Sequence, residues 1–202
     1  MRELIFDGAI AAKASPYEGL SSAEDHLFDY EREPMRALAG DVRELDVLNV
    51  GGDPAHREWL TSHGARTVGI DPNEHDLREA LPLGKESFDL VFSSLTLHFV
   101  REWEPLMREF HRVTRPNGAL VFSTHHPCRG LHDGLGVDYF STGLVVDRCN
   151  SSDEDVRLRY WRRPLSAVVS AVIETGWRIA KIAEPRIAEA VDPWFLVVRA
   201  TR

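Results

Sequence analysis

Cysteine is scarce in this chain: Cys128 and Cys149 are the only two among 202 residues, and no CxxC pair is present. Two thiols in a chain of this length do not make a disulfide framework, so a reducing, cytoplasmic setting is expected. Basic residues are also outnumbered. Lys and Arg total 24 against 32 Asp and Glu, a net charge of −8, and no Lys/Arg cluster forms a positive stripe. That balance argues against a nucleic-acid partner. No apolar run approaches the length of a membrane span, and the N-terminal MRELIFDGAI carries acids inside its only apolar patch. Neither a signal peptide nor a membrane anchor is expected from such a start. Internal repeats, low-complexity tracts and domain linkers are lacking as well.

What is present suits one globular domain over 1–202. Hydrophobic residues make up 43% and charged residues 28%, and the length allows a substantial core without staples. Residues 1–40 divide into an irregular arm and a helix, which follows the capping-box pattern Ser21-Ser22-Ala23-Glu24 and runs to about Leu38 before Gly40. Leu45–Val50 is a buried strand. It enters Gly51-Gly52-Asp53-Pro54, where Asp53 as N-cap and Pro54 at the first helical position start a helix ending at Gly64. Strands are expected at Arg66–Ile70, Phe88–Ser93, Ala119–Ser123, Trp177–Ala183 and Trp194–Ala200. Helices are expected at Glu102–Thr114, with Trp103, Leu106, Met107, Phe110 and Val113 on one side, and at Pro164–Thr175. Arg115–Gly118 reads as a turn. Residues 125–163 form an insertion in which Leu144–Asp147 and Val156–Trp161 pair as a hairpin. Alternating strands and helices mean an α/β fold with an open, mainly parallel sheet, helices on both faces and ligands at the strands' carboxyl ends.

Leu81-Pro82-Leu83, Ser87-Phe88-Asp89-Leu90-Val91-Phe92-Ser93-Ser94, Leu97-His98-Phe99-Val100, Glu109–Val113 and Arg115–Leu120 occur in that order. With Tyr160–Leu165 and Gly176-Trp177, they resemble the class I S-adenosylmethionine (SAM)-dependent methyltransferases that act on small molecules. The resemblance runs from Leu45 to Arg199. It implies a Rossmann-like methyltransferase sheet with an antiparallel last strand, and cofactor contacts at Gly51, Gly52, Asp71 and Ser93. It also implies a substrate lid drawn from the N-terminal arm and residues 125–163, with Tyr17, Tyr30, Trp161 and Arg162 as substrate-binding residues; Tyr139, in the loop between, could line the same cleft or anchor the loop.

Two departures from the family pattern stand out. The first motif has Asn49 in place of an acid, and Asp53-Pro54-Ala55 where two further glycines fall. Glycine permits close backbone approach to a ligand, proline has no N–H, and a capping Asp53 uses amides and adds negative charge. Second, only the 17 residues 71–87 separate Asp71 from Ser87. A parallel crossover takes a dozen or more, so the family's third strand and its preceding helix are expected to be missing, leaving Arg66–Ile70 as a sheet edge. That edge could pair with a second copy in a homodimer. The expected cofactor state is therefore none, or weak SAM binding.

Histidine supplies the candidate chemistry, because its proton exchanges near neutral pH. His98 follows the Phe88 strand and His125-His126 follow the Ala119 strand, all at the ligand face. The alternative for His98 is a packed ring, and of His125 and His126 at most one faces the cleft, since neighbours alternate. His125 or His126 is expected as general acid/base with His98 as partner. Cys128, His132 and Asp133 extend this cluster, but its spacing matches no zinc pattern, and no metal is expected. His56, His63, His75 and His111 fall on faces read as exposed. Three functions follow. The first is SAM-independent acid/base chemistry on a small molecule of specialised metabolism, by isomerisation, cyclisation, dehydration or decarboxylation. The second is SAM-dependent methyl transfer from an abbreviated pocket, and the third a binding module without catalysis.

Overall fold

The computed structural model describes residues 2–3, 22–51, 53–129, 131, 138–150, 155–188 and 190–202. In chain order the elements are β1 (Arg2–Glu3), α1 (Ser22–Ala39), β2 (Asp46–Val50), α2 (Pro54–Ser62), β3 (Arg66–Ile70) and β4 (Phe88–Ser93). A 3-10 turn (Leu97–Phe99), α3 (Trp103–Val113), β5 (Thr114–His125), β6 (Gly143–Asn150) and β7 (Asp155–Arg162) come next. The last are α4 (Leu165–Ile173), β8 (Arg178–Ala183) and β9 (Phe195–Thr201). Six strands form the central sheet in the order β3-β2-β4-β5-β9-β8, all parallel except β9, which runs antiparallel to both β5 and β8.

The apolar runs of β2 and β4 bury both sheet faces, as a central parallel strand must. Val47, Leu48, Val50, Val91 and Phe92 have no exposed surface. On one face Leu48, Val50 and Val91 meet Leu106, Met107 and Phe110 of α3 and Val168 and Val172 of α4. On the other, Val47, Leu90 and Phe92 meet Met35 and Leu38 of α1 and Leu60 of α2. Trp103 and Trp177 lie in the first of these layers, and their indole N–H groups donate to Leu97 O at 2.7 Å and Met107 O at 3.1 Å. Burial of each ring therefore leaves no orphaned donor.

Residues 71–87 contain no helix or strand, and among the described residues β3 pairs with β2 alone. The family's third strand is missing, as the chain length required, and β3 is an edge with Val68 exposed. The crossover is a pinned coil. Leu77 and Leu81 enter the core, while Arg112 donates to Leu83 O at 2.9 Å and Leu81 O at 3.2 Å. The turn expected at Arg115–Gly118 is instead absorbed into β5, which begins at Thr114 and carries a register shift against β4 between Phe88 and Leu90. Asn117 takes φ 66°, and a Cβ on Gly118 would stand 2.9 Å from both Arg115 O and Asp89 O. A bulge thus does the work of the turn without ending the ladder. The β6–β7 hairpin is longer than expected at both ends and extends into a small second sheet, β1-β7-β6. Among the described residues, no helix is long and apolar enough to cross a membrane.

Candidate functional site

Gly51 leaves β2 at φ +116°, a conformation that strains any side chain. A Cβ there would lie 2.3 Å from Thr96 Oγ1 and 3.0 Å from Ser94 O, so this exit passes directly under the loop that follows β4. Thr96 Oγ1 itself donates to Ser94 O at 2.7 Å. Asp53 caps α2 as expected, its Oδ1 accepting the Ala55 N–H at 2.9 Å. Arg32 of α1 donates Nε–H to Asp53 Oδ2 at 3.0 Å. Burial opposes ionisation of Asp53, but the Arg32 bond, the nearby His56 and the Ala55 amide outweigh it and hold the carboxyl below its ordinary pKa. Gly52 lies outside the described residues.

Behind this corner sits Glu31, with no exposed surface. Its Oε1 accepts from Ser94 Oγ at 2.9 Å and from Ser123 Oγ, joining α1 to the ends of β4 and β5. Its Oε2 meets His56 Nε2 at 3.0 Å. His56 was expected on an exposed face and is instead 1% exposed, its ring edge-on to Phe92 at 4.9 Å. The first turn of α2 faces inward, because Glu31 offers an acceptor there that the local sequence does not reveal. Glu31 had a legible signal that was passed over. Residues 31, 35 and 38 form one helical stripe, and Met35 and Leu38 on it are core. Glu31, Asp53 and His56 present metal-capable atoms within 4.8 Å of one another. The Glu31–His56 bond and the Arg32 guanidinium on Asp53 already account for that arrangement.

At the carboxyl end of β3, Asp71 Oδ1 accepts from Asn73 N at 2.8 Å and Asn73 Nδ2 at 2.9 Å. This Asx turn leaves Oδ2 uncommitted. Beside it, Asn73 Oδ1 and His75 Nε2 are buried with no hydrogen-bond partner. Ser93, at the end of β4, is fully buried with an orphaned Oγ.

The structure brings His98 and His125 together and leaves His126 out. The His98 and His125 rings stack at 4.1 Å and 10°, with Tyr160 of the hairpin edge-on to both at 5.8 and 4.4 Å. Burial pushes both pKa values well below the ordinary histidine range. Arg129 and Arg163 push further on His98, as do His98 and Arg129 on His125. His126 points the other way, as strand alternation requires. Its Nδ1 accepts the Cys128 N–H at 3.0 Å, so Nε2 carries the proton donated to Glu184 Oε1 at 2.8 Å. Burial lowers its pKa and Glu184 partly opposes that.

The stacked pair gives a pH prediction. The folded chain holds both rings neutral, whereas the unfolded chain protonates them near pH 6.5, so stability is complete above that pH and is lost as pH falls below it. The slope should reach about 1.4 kcal/mol per pH unit for each ring. Urea unfolding at pH 7.0, 6.0 and 5.0 should show a shallower loss in His125→Phe, which keeps a stacking ring that cannot titrate; an unchanged slope would contradict it.

The remaining expected site residues scatter. Tyr30 is 37% exposed on α1. Tyr139 anchors a loop, its hydroxyl accepting from Leu165 N at 3.3 Å under the Arg162 guanidinium. Trp161 packs under Arg101 at 5.0 Å. Arg162 is 3% exposed and donates to Pro127 O at 3.0 Å and Asp138 O at 2.8 Å. Tyr17, His132 and Asp133 lie outside the described residues.

Residues 48–122, which carry the corner, the Asp71 turn, β4 and most of β5, match the family model described as a methyltransferase domain. A solved S-adenosylmethionine-dependent methyltransferase from Mesorhizobium loti is 26% identical, with a TM-score of 0.67 over 86% of this chain and 98% of its own. The chain has the class I methyltransferase fold. An N-methyltransferase from Bradyrhizobium japonicum, solved with S-adenosyl-L-homocysteine, shares the fold at a TM-score of 0.62 and 14% identity, over 94% of this chain and 99% of its own. Among curated relatives, the malonyl-[acyl-carrier protein] O-methyltransferase of Pseudescherichia vulneris is 31% identical over 108 residues, 45% of this chain and 43% of that protein. The chain thus spans less than half the length of that enzyme.

The two ends of the site differ in how well their residues would fit SAM. At the nucleoside end the residues fit: Asp71 Oδ2, Asn73 Oδ1 and His75 Nε2 are uncommitted polar atoms at the strand end where this architecture binds a ribose. At the amino-acid end the chain's own side chains occupy the approach. Thr96 stands against Gly51, and Arg32 and Asp53 are paired. Those two carry the charges that match a zwitterion, so the pair would part rather than be replaced.

Proposed function

We propose that this domain transfers the methyl group of SAM to a small-molecule acceptor. The observation that carries the reading is the cluster at the end of β3, where Asp71 keeps one free carboxylate oxygen beside two orphaned buried polar atoms. Buried polar groups without partners cost free energy, and a ribose with two hydroxyl donors would satisfy them. The bound cofactor supplies an electrophilic methyl group, and the chain has mainly to position an acceptor against it. Asp71 and Asn73 would hold the ribose, and Arg32 and Asp53 the amino-acid end. The His98–His125 stack, kept neutral, forms an uncharged wall beneath the hairpin. The malonyl-[acyl-carrier protein] relatives support an acceptor that is small or presented on a carrier.

The expectation of SAM-independent chemistry remains as a second reading, favoured by the stacked histidine pair alone. The relatives support methyl transfer over it. Calorimetric titration separates the two: SAM or S-adenosylhomocysteine should bind saturably to the purified protein. Asp71→Asn keeps the Oδ1 turn and removes the free acceptor. It should weaken binding about tenfold or more, the scale of one charge-assisted hydrogen bond, with the melting temperature unchanged. Absence of saturable binding at millimolar SAM would refute methyl transfer.

A further inference from the structure

A cavity of about 290 Å³ opens between the amino end of α3, the inner face of α4 and the approach to β6. It lies at the same end of the sheet as the histidine stack. Arg101, Trp103, Glu104, Thr142, Arg163 and Ala167 line it. Arg163 is 7% exposed. Its Nη2 donates to Val100 O at 2.9 Å and Arg101 O at 3.0 Å, and the guanidinium lies 4.2 Å over the Trp103 ring. Its Nη1 is buried and has no hydrogen-bond partner. Burial pushes the Arg163 pKa down to about 10, against the pull of Glu104 and Glu102. A buried cation with an unused donor is costly unless an anion completes it.

The second donor comes from the backbone. Glu102, at the N-cap of α3, makes no side-chain bond to the first-turn amides. The Trp103 and Glu104 amides, Pro105 having no N–H, and the positive end of the helix favour an oxyanion. Glu104 sits in the same wall and limits the charge. One carboxylate can pair with Arg163, whereas a dianion such as phosphate would also meet the Glu104 carboxylate. Trp103 and Ala167 supply apolar surface for a short stem.

We propose that this cavity binds the single carboxylate of a monoanionic acceptor, held by Arg163 Nη1 and the amino end of α3. The proposal rests on the methyl-transfer reading and gives its acceptor a chemical class. The probe is monomethyl malonate, a monoanion with one carboxylate, titrated into the full chain by calorimetry at pH 7 and low salt without SAM. Dimethyl malonate is the neutral control and inorganic phosphate the more highly charged one. Saturable binding of the monoanion alone is expected. Arg163→Met should weaken it about tenfold or more, the scale of a charge-assisted hydrogen bond. Glu104→Gln should tighten it severalfold and admit phosphate. Because Arg163 also braces two carbonyls, Arg163→Met can lose its fold, as circular dichroism would show; Glu104→Gln then decides, since a purely bracing Arg163 predicts no change there. Equal binding of the neutral ester, or no gain in Glu104→Gln, overturns the site. SAM binding without monomethyl malonate binding overturns this proposal and leaves methyl transfer standing. Monomethyl malonate binding without SAM binding does the reverse.

Discussion

Glu31→Ala is expected to lower the stability of the chain by about 3–5 kcal/mol, roughly 10 °C in melting temperature for a domain of this size. The cause is what the substitution leaves behind. Ser94 Oγ and Ser123 Oγ lose their acceptor at the ends of β4 and β5, and His56 loses the partner that lets a buried imidazole face inward. Each is an unsatisfied polar group in a dry interior, and the missing side-chain volume adds to the cost. Glu31→Gln keeps the volume and one acceptor oxygen, so it should cost about half as much. Thermal unfolding of the two variants with the parent makes the comparison. A Glu31→Ala melting temperature within about 2 °C of the parent would mean that α1 is held to the sheet by its apolar stripe alone.

Gly51→Ala is expected to cost roughly 3 kcal/mol, from two separable sources. One is the backbone, since φ +116° is strained for any residue with a side chain. The other is steric, because the new Cβ would stand 2.3 Å from Thr96 Oγ1. Thr96→Ala removes that oxygen, at the loss of its bond to Ser94 O. In the double variant only the backbone strain and the 3.0 Å approach to Ser94 O remain. The two substitutions should therefore be non-additive by about 1 kcal/mol or more in favour of the double variant. Additive costs would show that the loop after β4 moves aside freely. In that case the same loop could also yield to a cofactor.

These two positions differ in how far they could be read in advance. Gly51 was marked by the residues around it: a β-rich run, two glycines, then an N-cap and a proline. Asp53 on the Ala55 amide follows from the same local signals. The missing third strand was equally legible, because residues 71–87 are too few to hold a strand and a helix besides the crossover. Such features depend on neighbours along the chain, and their physics is local.

The Glu31–His56 pair, the His98–His125 stack and the unpaired Nη1 of Arg163 depend on residues 25, 27 and more than 60 positions apart in sequence, brought together by packing. His56 sits in a short, mixed-polarity helix whose pattern reads as exposed; only an acid delivered from α1 makes burial tolerable. Alternation along β5 told that His125 and His126 would part company, but not which of them would meet His98. The amino-acid chain by itself thus determined a parallel methyltransferase sheet, its shortened edge and its strained glycine corner. Only the tertiary structure decided which charges are buried together, because the energy of a buried polar group is set by the partner that folding brings to it.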